Sequence, residues 1–299
     1  MSDFRSGFVV LAGAPNVGKS TLVNQILKEK VSITAPKPQT TRNRISAILT
    51  RPDCQIVFVD TPGIHRARDS FNRILVQTAL TTLDEVDLVC FIVEAPNASR
   101  EINDFILGIL DRTRTPVILA INKIDLVAKP ALLPVMEDYS KRRSFEAIVP
   151  VSALHDDGVD ALLGEIVQRL PQGPRYYPDD ILTDQPERFL VAELVREKVL
   201  HLTHQEVPYA VAVTVDEFSE AEGEDRIRIE ATIHVERDSQ KGILIGRKGA
   251  MLKEIGSRAR RDMERLLGCK VFLGLFVRVQ KRWRSDRRVL AEFGYHSRK

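Results

Sequence analysis

Cysteine is scarce in this chain: Cys54, Cys90 and Cys269 are the three thiols in 299 residues, far apart and without CxxC spacing. They sit in apolar, strand-like stretches, so buried, reduced thiols and a reducing cytosol are expected rather than a disulfide framework. The six histidines form no HExxH and no Cys/His cluster, which argues against structural zinc and against a metalloprotease. Long apolar runs are missing too. Leu88 to Val93 and Val117 to Ile121 fall far below the roughly 20 residues of a membrane-spanning helix. Residues Met1 to Ser6 are short and polar, so the expectation is a cytoplasmic protein without a signal peptide. No internal repeat or low-complexity tract is visible.

What is present is enough for two globular domains: 43% hydrophobic and 28% charged residues. The net charge of +3 conceals an asymmetry. Residues 179–236 hold 15 Asp/Glu against 5 Lys/Arg, a net of −10, and residues 237–299 hold 18 Lys/Arg against 6 Asp/Glu, a net of +12. A merely solvated helix face would mix signs, so the last sixty or so residues read as a polyanion-seeking surface.

From Phe8 to Leu170 short β-branched runs (GFVVLAG, RISAILT, QIVFVD, DLVCFIV, PVILAIN, AIVPVSA) alternate with helical patterns from Lys19, near Ser70 to Leu83, near Glu101 to Arg112 and from Gly158. Such alternation predicts an α/β domain with a mostly parallel sheet and helices on both faces. Four prolines within Pro171 to Pro186 deny helix and central strand, and read as an extended linker. The order then changes: a helix Phe189 to Leu202, strands Tyr209 to Phe218 and Arg226 to Val235 around an acidic turn, a short helix before Gly246, a helix Ala250 to Leu267, a strand Val271 to Val279 and a basic tail helix from about Arg284. That is an α+β domain of order αββααβ. The expected boundaries are 1–172, a linker 173–187, and 188–299.

Gly13-Ala14-Pro15-Asn16-Val17-Gly18-Lys19-Ser20, followed by Thr21, fits GxxxxGK[ST] between a strand and a helix. Its glycines let backbone N–H groups face phosphate oxygens at a helix N-terminus, Lys19 reaches the outer phosphates, and the Ser20 hydroxyl ligates Mg²⁺. The base is chosen by Asn122-Lys123-Ile124-Asp125 at a strand end. The Asp125 carboxylate accepts from guanine N1–H and the N2 amino group, whereas adenine would present it with a lone pair. Ser152-Ala153-Leu154 offers a backbone N–H to the guanine carbonyl. Asp60-Thr61-Pro62-Gly63 supplies a Mg²⁺ carboxylate and an N–H for the γ-phosphate. Thr41, with Thr40 the alternative, closes over both. Lys19, Thr41, Asp60 and Gly63 are therefore the expected catalytic set, with Ser20, Thr41 and Asp60 on the metal. Five motifs in this order match translation-factor-like P-loop GTPases. Ile64, however, stands where Ras-like proteins place the glutamine that orients water.

Gly246-Arg247-Lys248-Gly249 lies between two helices inside the αββααβ order, the layout of a type II KH domain, and Lys253 follows one turn later. A tight Gly-rich turn there brings N–H groups against an RNA phosphate, with Arg247 and Lys248 beside it. GAPNVGKS, PQTTRNR, DTPGIH, NKID, VSAL, ERDSQKGILIGRKGAMLKEIG and RVQKRWRSDRR together resemble the Era family of bacterial GTPases over nearly the whole chain. The resemblance implies GTP/GDP and Mg²⁺ as ligands and binding of the 16S rRNA 3′ end through the KH cleft and the tail with Lys281, Arg282 and Arg284. It also implies a role in 30S subunit maturation and peripheral contact with the inner membrane; a monomer is expected. Asn16 is similar to an asparagine that holds K⁺ in related GTPases. The rival expectations are a GTP-regulated RNA-binding adaptor with little turnover, for which Ile64 speaks, and a tRNA-modifying GTPase, which would need a catalytic Cys or a cofactor domain.

Overall fold

The computed structural model describes residues 4–66, 70–83, 85–96, 99–220 and 226–295. Its first half runs β1 (Arg5–Ala12), α1 (Lys19–Leu27), β2 (Ile45–Thr50), β3 (Cys54–Asp60), α2 (Ser70–Thr82), β4 (Leu88–Glu94), α3 (Arg100–Leu110), β5 (Val117–Asn122), α4 (Leu132–Arg142), β6 (Ala147–Pro150) and α5 (Val159–Arg169). The sheet order is β2-β3-β1-β4-β5-β6, with β2 antiparallel to β3 and the other pairs parallel.

Successive strand residues point into opposite layers. Val9, Leu11, Ile92 and Ile118 pack with Leu22 and Val23 of α1 and with Leu162 and Ile166 of α5. Val10, Val89, Phe91 and Leu119 pack with Ala79 of α2, Ile106 and Leu110 of α3, and Tyr139 of α4. Two covered faces are why β3 and β5 are buried along their whole length and read as continuous apolar runs. Helix α4 was not anticipated from the sequence. Its Pro134 sits in the first turn, where no helical N–H is needed, and Tyr139 is anchored by Asn103 Nδ2 donating to its hydroxyl at 2.9 Å.

The proline-rich linker is extended but pinned along the sheet edge. Gln55 Oε1 accepts from Tyr176 N and Tyr177 N at 2.7 and 3.0 Å, Leu182 O accepts from Ile48 N at 2.8 Å, and Thr183 Oγ1 donates to Ser46 O at 2.6 Å.

The second half runs α6 (Glu187–Leu202), β7 (Ala212–Glu220), β8 (Arg226–Val235), α7 (Asp238–Ile245), α8 (Ala250–Leu267), β9 (Lys270–Val279) and α9 (Arg287–Glu292). In its sheet, β7-β8-β9, the first pair is antiparallel and the second parallel. The expected acidic turn falls at 221–225, outside the described residues. Val191, Val195 and Val199 of α6 meet Ile255, Ala259 and Met263 of α8 over Ile229 and Ile233. Leu266, near the C-terminal end of α8, is 41% exposed.

The basic tail is not one helix from Arg284. A single 3₁₀ turn spans Trp283–Ser285, and α9 starts at Arg287 because the Asp286 carboxylate caps Arg288 N and Val289 N. Trp283 is fully buried and donates Nε1–H to Ala210 O at 2.9 Å, and with Leu290 and Tyr295 it encloses Phe71 and Leu75 of α2. Cys54 and Cys90 are buried as expected, while Cys269 is half-buried; all three are free thiols.

Candidate nucleotide and nucleic-acid sites

The loops carrying the first set of motifs leave the C-terminal ends of β1, β3, β5 and β6, the side of an open α/β sheet where ligands bind. A cavity of about 550 Å³ opens there. Pro15, Asn16, Gly18, Lys19, Ser20, Thr21, Thr41, Gly63 and Lys123 line it. So do residues that sequence reasoning did not single out: Ile33 to Pro36, Gln39, and His201 from α6.

Lys19 is nearly buried, with Nζ donating to Gly13 O at 3.2 Å and Ala14 O at 2.9 Å. Burial pulls its ammonium down to about 8, against the opposing pull of Asp60, so a phosphate in reach would meet a cation short of solvation. Asp60 is fully buried, and burial raises its carboxyl, offset by Lys19 and then by the Ser20 hydroxyl. Its Oδ2 accepts from Ser20 Oγ at 2.7 Å and Thr41 Oγ1 at 3.3 Å, and those hydroxyls lie 2.8 Å apart. Asp60 Oδ1 is buried without a hydrogen-bond partner. One orphaned carboxylate oxygen beside two hydroxyls is a hard, all-oxygen set that fits Mg²⁺. The structure therefore brings Thr41, and not Thr40, to Ser20 and Asp60; Thr40 Oγ1 donates to Lys37 O at 2.7 Å.

Asn122 ties the motifs together. Its Nδ2 donates to Val17 O at 2.8 Å and its Oδ1 accepts from Ala153 N at 3.0 Å. Gly18 has φ 100°, and a Cβ there would lie 2.2 Å from Asn122 Nδ2, so only glycine lets the two loops meet. Asp125 Oδ1 accepts from Ser152 Oγ at 2.5 Å, which aims the carboxylate. Lys123 adopts φ 62° and pairs with Glu94 at 2.7 Å. The expected N–H donors for guanine narrow here, because Ser152 N donates to Asp157 O and Ala153 N to Asn122. Leu154 is exposed.

Thr61 and Ile64 do not face the cavity. Thr61 Oγ1 donates to Leu11 O at 2.9 Å, and Ile64 is fully buried in the core with its N–H on Gly13 O at 3.0 Å. Pro62, between Thr61 and Gly63, is buried as well.

In the second half, Gly246 has φ 69° and a Cβ on it would come within 2.7 Å of Met251 Cβ. The turn at Arg247 to Gly249 therefore packs directly on the first turn of α8. Arg247, Lys248, Lys253, Lys281 and Arg282 are exposed. Arg284 departs from that group: its guanidinium lies over the Phe71 ring, 5.6 Å from the centroid, and so faces the first half.

Two family profiles match the chain: one described as 50S ribosome-binding GTPase over residues 8–123 and one described as KH domain over 206–284. Curated proteins named GTPase Era are similar throughout. The protein from Geotalea daltonii is 56% identical over 98% of this chain and 98% of its own, and that from Geobacter metallireducens 57% over 99% and 100%. The crystal structure of Era with MgGDPNP and nucleotides 1506–1542 of 16S ribosomal RNA is similar with a TM-score of 0.95 at 39% identity, covering 98% of this chain and 99% of that one. An Aquifex aeolicus Era variant bound to GDP and AlF₄⁻ gives 0.94 at 38%, with the same coverage.

If Asp125 reads guanine through N1–H and the N2 amino group, Asp125→Asn lowers GTP affinity by about a hundredfold or more, because two bonds to a charged acceptor are lost. Preference should move toward xanthosine triphosphate, whose C2 carbonyl can accept from the new amide. Nucleotide competition on the folded variant checks this, and an unchanged guanine preference contradicts it.

Proposed function

The chain belongs to the Era family of GTPases, and from that premise we propose that it hydrolyses GTP on its first half and binds the 3′ end of 16S ribosomal RNA on its KH domain, in maturation of the 30S subunit. The observation that carries this reading is the meeting of Ser20, Thr41 and Asp60 oxygens within 3.3 Å of one another, on a chain whose other half presents an exposed Arg247-Lys248 pair on a Gly-rich turn. The crystal structure with MgGDPNP and 16S rRNA nucleotides, similar over nearly the whole chain, supports it.

In this reading Lys19 places positive charge against the outer phosphates, Asn16 to Ser20 wrap them with N–H groups, and the Gly63 N–H meets the γ-phosphate. Ser20, Thr41 and Asp60 would hold Mg²⁺, which supplies charge stabilisation to the β- and γ-phosphate oxygens. Asn122 supports the loop around guanine and Asp125 reads it.

Ile64 is turned into the core, so no side chain at that position orients water. We assign the compensating stabilisation of the transition state to a monovalent cation beside Asn16, whose side chain is exposed at the cavity wall. Turnover should be slow, faster in K⁺ than in Na⁺, and Asn16→Ala should abolish the difference. Equal steady-state rates in both salts dispose of the assignment.

The division of the chain at 173–187, a cytoplasmic location, a monomeric state and peripheral inner-membrane contact belong to the same reading. The three free thiols suit a reducing compartment, no helix among the described residues is long and apolar enough to cross a membrane, and fractionation of cell extract decides the location.

Arg247 and Lys248 should clamp RNA phosphates while bases are read beside the turn. Changing both to Ala should weaken binding to a 16S 3′-end oligonucleotide and flatten its salt dependence by about 1.4 log units per log unit of salt, about 0.7 for each lost contact on a single strand. GTP binding should stay intact. A wild-type salt slope in the double variant would move the clamp to the exposed pair Lys281 and Arg282.

A further inference from the structure

The loop 31–42, which carries Thr41, is stitched to one side of α6. Thr34 N donates to Glu197 Oε1 at 3.1 Å, His201 Nε2 lies 2.8 Å from Thr34 O, and Lys37 Nζ donates to the carbonyls of Leu200 and Thr203. The α6 partners recur at spacings of three and four, one face of a helix. Lys30 extends the seam, pairing with Glu197 at 2.6 Å and Asp262 of α8 at 3.1 Å.

The contact nearest the chemistry is Arg196. Its side chain is 1% exposed, Nε donates to Glu193 Oε1 at 2.7 Å, and Nη2 donates to Glu193 Oε2 and to the main-chain carbonyl of Thr40. The next residue is Thr41, whose hydroxyl reaches Ser20 and Asp60. On the far side of Thr41, the buried Arg42 guanidinium donates to the carbonyls of Val211, Pro208 and Tyr209. Thr41 is therefore bracketed by two contacts to the second half of the chain. In P-loop GTPases generally, the γ-phosphate and Mg²⁺ order this loop; here part of the ordering is built in by α6.

We propose that Arg196 is a positioning residue for GTP: by holding the Thr40 carbonyl it keeps the Thr41 hydroxyl beside Ser20 and Asp60, so that the KH half of the chain sets the preference for GTP over GDP. The proposal rests on reading the cavity as a GTP site. GDP lacks the phosphate that Thr41 closes over, so the effect of Arg196 must appear in GTP affinity and not in GDP affinity. An arginine that merely joined the two halves would change both affinities or neither.

Removing Arg196 alone strands the nearly buried Glu193 carboxylate, which is destabilising in itself. The test variant is therefore Glu193→Gln with Arg196→Gln, beside Arg196→Lys, which keeps a cation within reach of the Thr40 carbonyl. Calorimetric titration of the full chain with a non-hydrolysable GTP analogue and with GDP, each in Mg²⁺ and in EDTA, gives the readout. We expect the double variant to bind the analogue about ten- to hundredfold more weakly in Mg²⁺, the loss of one charge-assisted hydrogen bond. GDP should bind as in the wild type, the defect should vanish in EDTA, and Arg196→Lys should restore part of it. An unchanged ratio of analogue to GDP affinity, in the double variant or, should that variant fail to fold, in the apolar pair Glu193→Leu with Arg196→Met that removes both charges, overturns the proposal. Failure of the wild type to bind the analogue at all would overturn the GTP reading instead.

Discussion

Two guanidinium groups that water cannot reach fix how the halves of this molecule meet. Arg42 and Arg196 are 2% and 1% exposed, and a cation in such a place must be answered by carboxylates or carbonyls. Arg42 leaves the nucleotide half and ends on carbonyls at the entry to β7; Arg196 leaves α6 and ends on Glu193 and the Thr40 carbonyl. Because the two cross the joint in opposite directions on either side of Thr41, moving one half against the other breaks bonds that only this placement satisfies. The edge-to-face packing of Phe71 against Trp283 and Tyr295, with ring centroids 5.4 and 5.1 Å apart, locks α2 to the tail by the same joint.

From this joint a continuous physical route leads to the Gly-rich turn at Arg247 and Lys248. Helix α8 has Gly249 as its N-cap, directly after Arg247 and Lys248. Its Ile255, Ala259 and Met263 pack on α6, and Asp262 pairs with Lys198. Helix α6 in turn carries Arg196. A ligand that shifts α8 thus acts on an element that touches the Mg²⁺-side loop, and linkage requires the effect to run equally in both directions.

Much of this was legible in the sequence, for physical reasons that differ from element to element. The strands of the first half announce themselves because both faces are buried. Strand β8 and helix α8 appear with the expected limits because each carries a clean apolar period, and Gly18 and Gly246 mark turns that side chains cannot enter. Helix α4 stayed hidden because its sequence LLPVMEDYSKR mixes a proline with charges and buries little more than Tyr139. The joint stayed hidden because Lys37, Arg42, Arg196 and His201 look like ordinary surface charges until a second domain covers them. A count of basic residues over 237–299 does not show where each side chain goes: Arg284 faces Phe71 and Arg258 pairs with Glu254.

The most direct test of coupling through the joint is a thermodynamic square on the full chain: affinity for a 16S 3′-end oligonucleotide with the GTP analogue or GDP bound, and affinity for each nucleotide with and without that oligonucleotide. Coupling requires the analogue to alter RNA affinity relative to GDP by a factor α, and RNA to alter the analogue-to-GDP preference by the same factor. With typical coupling free energies, α should be about 5 to 150. A factor of one on both sides would mean that the two halves share a surface without sharing a function.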